Sequence, residues 1–330
     1  MCMSRPRQLV SAPILTARHT ERISISAPGD FVTGRAVGLE QPPGETWLPY
    51  CLDVLRRRSL YVGGVDAKGA QDAPFYYLYL RGQARTVLSV PWERGPLAAG
   101  VSRRPVFLFS PGRCGSTLLS RILSAAGAAN VSEPDFYTQA TSALSVSALN
   151  PLRGAMRAAV AALGTDLAEA LDPVQSPVVK LRAESCRAPE LLLQTAERRT
   201  VFMSRGFESW ARSNGRAFRN GAHKAVAKYL RALRCHAWLK QNSDCHLLRY
   251  EDLLAAPLAT MDALAQFLGR DIAAEAVAST MKEDSQRGTP LSRGARADQP
   301  GWERRLDETM ALWNSARLKR ARDRLGMADA

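Results

Sequence analysis

The sequence predicts an α/β fold: a three-layer α/β/α domain with a mainly parallel central sheet, preceded by an N-terminal extension carrying short β-strands. Three observations predict it. The apolar runs Val106-Phe107-Leu108-Phe109, Val178-Val179-Lys180-Leu181, Thr200-Val201-Phe202-Met203 and His246-Leu247-Leu248 lack strict polar alternation, as strands covered on both faces do. Longer segments with helical spacing lie between them, for example Val226, Leu230, Leu233 and Ala237, then Leu258, Met261, Leu264 and Leu268. Strands alternating with helices imply parallel pairing through right-handed crossovers. A glycine-bearing turn also follows the first of these strands and runs straight into a helical segment, and ligands of such sheets collect at the carboxyl ends of strands.

With 330 residues, 46% hydrophobic and 23% charged, the chain has ample material for a core. The pattern divides it into an extension over residues 1–100 and a main domain over 101–330. Residues 1–45 are rich in Ser, Pro, Gly and Arg, end in Gln41-Pro42-Pro43-Gly44, and read as loosely structured. Leu60-Tyr61-Val62, Tyr76-Tyr77-Leu78-Tyr79-Leu80 and Thr86-Val87-Leu88-Ser89-Val90 read as short strands, punctuated by Gly63-Gly64 and Gly82. They suit a small β subdomain or a flap.

The formal net charge of +14 favours an anionic partner, whether a phosphorylated cofactor, a polyanionic acceptor, nucleic acid or a lipid head group. Arginine pairs scattered over a solvated face would give the same total. The six cysteines show neither CxxC pairs nor a Cys/His arrangement with zinc-ligand spacing, so reduced thiols and no zinc are expected. No stretch has the apolar length of a signal peptide or a membrane span. The expectation is a cytoplasmic protein without a membrane anchor.

The turn after the first strand reads Ser110-Pro111-Gly112-Arg113-Cys114-Gly115-Ser116-Thr117, followed by the helical Leu118-Leu119-Ser120-Arg121-Ile122-Leu123. Gly112 and Gly115 let backbone N–H groups close on an anion, and a helix N-terminus adds a favourable dipole. Ser116 and Thr117 supply hydroxyls and Arg113 a permanent charge. Ser116 or Thr117 acting merely as a helix cap is the alternative. The nucleotide-triphosphatase pattern GxxxxGK[ST] is not met, because no Lys precedes the Ser/Thr.

Arg113-Cys114-Gly115-Ser116-Thr117 resembles the 5′-phosphosulfate loop of the sulfotransferases that use 3′-phosphoadenosine-5′-phosphosulfate (PAPS), with Cys114 in place of the usual Ser. Their fold is the P-loop-like α/β/α type. The resemblance implies that Arg113 contacts the transferring sulfo group or its bridging oxygen. It implies that Cys114, Gly115, Ser116 and Thr117 hold the 5′-phosphate.

A second element supports the resemblance. Thr200-Val201-Phe202-Met203 leads through Ser204 to Arg205, and Ser213 follows eight residues later. A surface arginine and a solvated helix serine would also fit that spacing. The family's 3′-phosphate element has this register, which implies that Arg205 and Ser213 are cofactor ligands. Gly206-Phe207 departs from the family's Asn-Pro or Asp-Pro after the arginine. Arg249-Tyr250-Glu251-Asp252-Leu253-Leu254, ending downstream in Phe267-Leu268-Gly269, is similar to a structural segment of the family. Glu251 and Asp252 there suit a helix start. Gln286-Arg287-Gly288 resembles the basic-Gly loop that closes on the 3′-phosphate, with Arg293 and Arg296 as alternatives to Arg287. The match covers residues 104–325 and leaves the first hundred unmatched.

Sulfuryl transfer needs in-line placement, stabilisation of the leaving phosphate and removal of the acceptor's proton. PAPS is already activated, so no metal is expected, and the product is adenosine 3′,5′-bisphosphate. Glu133 lies twenty residues after Arg113, where the chain returns to the sheet's carboxyl edge. Sulfotransferases resembling the tyrosylprotein and bacterial carbohydrate groups use a Glu there as general base. Other members use a His after the next strand; here that position is Arg182, which cannot accept a proton. Glu133 is therefore the candidate base, its alternative an N-cap or surface acid beside Pro134. Lys180 either reaches the sulfo group or pairs an acid.

The implied activity is transfer of a sulfo group to a hydroxyl or amine on a small-molecule, carbohydrate or peptide acceptor, with no nucleic-acid partner. A P-loop kinase, a polyanion or nucleic-acid binding module, and a PAPS-binding protein without turnover are the competing classes. Acceptor identity and oligomeric state are not encoded in these motifs.

Overall fold

The computed structural model describes residues 8–44, 46–98, 104–143, 147–172, 175–194, 197–284 and 298–324. The chain forms two compact units: residues 1–107 with 127–197, and residues 108–126 with 198–330.

The first unit holds an antiparallel sheet of six strands: β1 (Leu9–Ala17), β2 (Phe31–Thr33), β3 (Val37–Leu39), β4 (Leu48–Asp53), β5 (Arg58–Gly63) and β6 (Thr86–Pro91). Its order is β2-β1-β6-β5-β4, with β3 also on β1. The presence of β1 corrects the loose structure expected for residues 1–45. Pro13 and a mostly half-exposed burial pattern hide this strand from a sequence reading. Helix α1 spans Ala67–Asp72, and Tyr76-Tyr77-Leu78-Tyr79-Leu80, expected as a strand, instead opens helix α2 (Tyr76–Gln83). Tyr76, Tyr77, Leu80 and Arg81 are the buried residues, a spacing that one helical face supplies and a pleated strand splits between two sides.

The four apolar runs are strands: β7 (Val106–Phe109), β9 (Val178–Lys180), β10 (Arg199–Ser204) and β11 (Asp244–Arg249), with β8 at Asn130–Ser132. They form a five-stranded sheet ordered β11-β10-β7-β9-β8. The β8–β9 and β10–β11 pairs are parallel. The α/β class and the extra N-terminal strands are as the sequence predicts. The helices are α3 (Ser116–Ala125), α4 (Asp135–Ala143), α5 (Arg153–Leu171), α6 (Pro189–Leu192), α7 (Phe207–Ala217), α8 (Ala222–Asn242), α9 (Tyr250–Ala255), α10 (Pro257–Leu268), α11 (Ala274–Met281), α12 (Trp302–Trp313) and α13 (Ala316–Arg324). In α8 the apolar stripe buries Val226, Leu230 and Leu233, and in α10 Met261, Leu264 and Leu268, whereas Leu258 faces solvent.

In the first unit α4 and α5 pack on β4. Tyr61 on β5 donates to Asp166 on α5 at 2.6 Å. The fully buried Arg81 reaches Asp30 at 3.2 Å, the Tyr50 hydroxyl at 3.0 Å and the carbonyls of His19 and Arg22 at 3.0 and 3.1 Å. It fastens the segment before β2 to α2. No described helix is long and apolar enough to cross a membrane.

Candidate functional site

In the second unit the turn between β7 and α3 is wound left-handed, with φ of 72° at Gly112, 58° at Arg113 and 87° at Gly115. Glycine takes this region freely, but a side-chain-bearing residue there costs about 1–3 kcal/mol. Arg113 is one of four non-glycine residues at positive φ among those described, and Glu133, at 62°, is another. Such strain persists where surrounding contacts over-determine the backbone, and it clusters at functional sites.

The cap position of α3 is Gly115, and Ser116 and Thr117 are its first helical residues, so neither hydroxyl residue is the cap. Both are buried, as is Cys114. A Cβ on Gly115 would run into the Tyr250 ring, so the turn lies flat against α9.

Arg205 ends the strand–helix junction beyond β10, and Ser213 sits in α7. Ser213 meets the turn directly: Arg113 Nε donates to Ser213 Oγ at 3.2 Å. A hydroxyl can accept and donate together, so Ser213 keeps a proton to offer an anion. Arg205 donates to the Arg113 carbonyl at 3.2 Å and to Ser209 Oγ at 2.9 Å, and its guanidinium lies 4.5 Å from the Tyr250 ring centroid. Glu251 accepts from the Gly206 N–H at 3.0 Å, at the start of α7. The guanidiniums of Arg113 and Arg205 and the hydroxyls of Ser209 and Ser213 are thus linked in one hydrogen-bonded cluster just before the N-terminus of α3. Arg287 and Gly288, with Arg293 and Arg296, lie outside the described residues.

Behind the cluster is an aromatic wall. Trp210 donates its indole N–H to the Gly112 carbonyl at 2.8 Å, and Tyr229 donates to the Arg205 carbonyl at 2.5 Å. Phe207 stacks on Trp313 with centroids 3.8 Å apart. Spacing in the sequence carries no sign of Trp210 or Tyr229, because each acts on a carbonyl remote along the chain, whereas Tyr250 lies in the segment at 249–254 that the sequence does display.

In the first unit Glu133 directly follows β8. Lys180, at the end of β9 and only 2% exposed, places Nζ 2.8 Å from Glu133 Oε1 and 3.0 Å from Ser132 Oγ. Lys180 thus pairs with the Glu133 carboxylate. The Arg182 Nε is 4.0 Å from Glu133 Oε2, and its Nη1 donates to Asp135 at 3.0 Å. Asp135 also accepts from the Ser26 N–H at 2.8 Å and its hydroxyl at 3.1 Å. Burial pushes the Asp135 carboxyl up to about 6, against the pull of Arg182 and the Ser26 N–H. Burial also opposes the Arg182 cation, but Asp135 and Glu133 outweigh it and hold the guanidinium above its ordinary value. Asp135 and Ser26 gave no signal in the sequence, since their partners are distant along the chain.

The class is that of an α/β protein in which the strand β7 opens through a glycine-bearing, arginine-bearing turn into the helix α3. No protein-family model matches the sequence, and no curated protein matches it. Solved structures to which the chain is similar include the sulfotransferase domain from the curacin biosynthetic pathway, at 16% identity over 68% of this chain and 99% of that one, with a TM-score of 0.43. Sulfotransferase STF1 from Mycobacterium tuberculosis H37Rv is similar at 15% identity over 55% and 72%, with a TM-score of 0.39. Retinol dehydratase in complex with androsterone and the inactive cofactor PAP is similar at 14% identity over 86% and 97%, with a TM-score of 0.41.

Proposed function

We propose that this chain is a sulfotransferase that moves a sulfo group from PAPS to a hydroxyl or amine. The observation that carries the reading is the meeting of Arg113 with Ser213, which joins the turn at 112–117 to the Arg205–Ser213 element in one donor cluster. A doubly phosphorylated nucleotide fits such a set: the donors are cationic or hydroxylic and arrive from two separate elements.

PAPS supplies a sulfo group on a good leaving phosphate. Within this chain, Cys114, Gly115, Ser116 and Thr117 hold the 5′-phosphate by backbone N–H and hydroxyl groups at the start of α3. Arg113 answers charge at the transferring sulfo group and its bridging oxygen. Arg205 and Ser213 hold the 3′-phosphate, with Arg287 and Gly288 as its further ligands by the same resemblance. Glu133 takes the acceptor's proton as the new S–O or S–N bond forms, and the bond to the bridging oxygen breaks with its electron pair passing to the phosphate. Residues 101–330 carry these groups, with 1–100 as an extension. The acceptor is a small molecule, a carbohydrate or a peptide, and the location is cytoplasmic.

Adenosine 3′,5′-bisphosphate at a hundredfold excess over its Kd should stabilise the protein by about 2.7 kcal/mol. ATP with magnesium should give less; the reverse order would favour a nucleotide kinase. Glu133→Gln should abolish turnover of labelled PAPS while bisphosphate binding persists. Full activity in that variant removes Glu133 as base.

A further inference from the structure

Two consecutive carbonyls of the turn are held by side chains from other elements. The Gly112 carbonyl accepts from the Trp210 indole at 2.8 Å, and the Arg113 carbonyl accepts from Arg205 at 3.2 Å. No described peptide bond is cis. In a trans peptide the C=O of one residue and the N–H of the next point in opposite directions across a rigid plane. Fixing the Gly112 carbonyl therefore fixes the Arg113 N–H on the far side, and fixing the Arg113 carbonyl does the same for the Cys114 N–H. The Gly112 N–H is turned away, donating to Ser110 Oγ at 3.2 Å. The orientation is not left to the turn itself, since Gly112 at positive φ has wide freedom and Arg113 at positive φ is strained.

We propose that Trp210 is a positioning residue for the 5′-phosphate: its indole N–H anchors the Gly112 carbonyl and so aims the Arg113 N–H into the anion cradle. Its place is rigid. Trp210 is fully buried and packs among Phe207, Tyr229 and Trp313. The tilted ring of Tyr229 lies 4.9 Å from its own, centroid to centroid. The inference rests on the nucleotide reading above and adds to it a side chain that touches neither phosphate.

The test is calorimetric titration of the full chain, wild type and Trp210→Phe, with adenosine 5′-phosphate and adenosine 3′-phosphate separately. Loss of one oriented donor should weaken the 5′-phosphate about tenfold and leave the 3′-phosphate within about twofold. Equal weakening of both ligands would reduce Trp210 to a packing residue and overturn the proposal. So would unchanged affinity for both in the variant. Wild-type protein that binds neither ligand overturns the nucleotide reading, and this inference falls with it. Should Trp210→Phe not fold, 3-benzothienylalanine at position 210 keeps the bicyclic shape, replaces N–H by sulfur and must give the same split between the ligands.

Discussion

Arg113 and Ser213, a hundred positions apart in the chain, touch through Nε and Oγ at 3.2 Å. The serine hydroxyl accepts from the guanidinium and keeps its own proton to donate. Ser213→Ala removes one charge-assisted hydrogen bond, so the Kd for adenosine 3′,5′-bisphosphate should rise about tenfold or more. Calorimetry checks this, and an unaltered Kd would remove Ser213 from the binding set.

Lys180 is buried between Glu133 and Ser132. Taking away one partner of a buried ion pair strands the other, so Lys180→Met should lower the unfolding free energy by about 3 kcal/mol. The double variant with Glu133→Gln should recover part of that loss. Urea unfolding of the two singles and the double isolates the coupling, and strictly additive losses would deny it.

Gly115→Ala would drive a methyl into the Tyr250 ring and place a side chain at φ 87°. The expected loss is about 1–3 kcal/mol of stability, accompanied by loss of bisphosphate binding. Thermal unfolding with and without the ligand separates the two effects. A variant with wild-type stability and affinity would show that the turn does not need this close approach.

His236 stacks on Phe202 with centroids 4.6 Å apart, and burial, helped by Lys240, pulls its pKa down from 6.5 to about 4. The unfolded chain therefore binds a proton that the folded chain refuses between those values, and stability rises with pH there. The contribution is complete above about pH 6.5 and is lost as the pH falls through about 4. Comparing pH-dependent melting of wild type and His236→Phe should show a shallower acid slope in the variant. Identical slopes would assign the acid sensitivity elsewhere.

The parts of the fold that sequence displayed are those written in local chemistry. The strand at 106–109, its glycine turn and the helix at 116 follow one another without interruption, and each has its own residue signature. Arg205 and Ser213 were readable as a register, although their meeting with Arg113 was not. The tyrosines at 76–79 misled because bulky aromatic residues favour strands, while the positions they bury obey a helix. Trp210, Asp135 and Ser26 gave no signal at all. Their work is done on a carbonyl, a guanidinium and a carboxylate far off in the chain, and no spacing rule reaches that distance.

The bond from Ser26 to Asp135 ties a stretch of chain that reads as dispensable to the carboxylate gripping Arg182. Trimming the start of the protein past this serine, a routine step toward better crystals, would strip two donors from a fully buried carboxyl. A shortened chain that still folds would then hold Arg182 less firmly, for a reason no inspection of the turn at 112–117 would disclose.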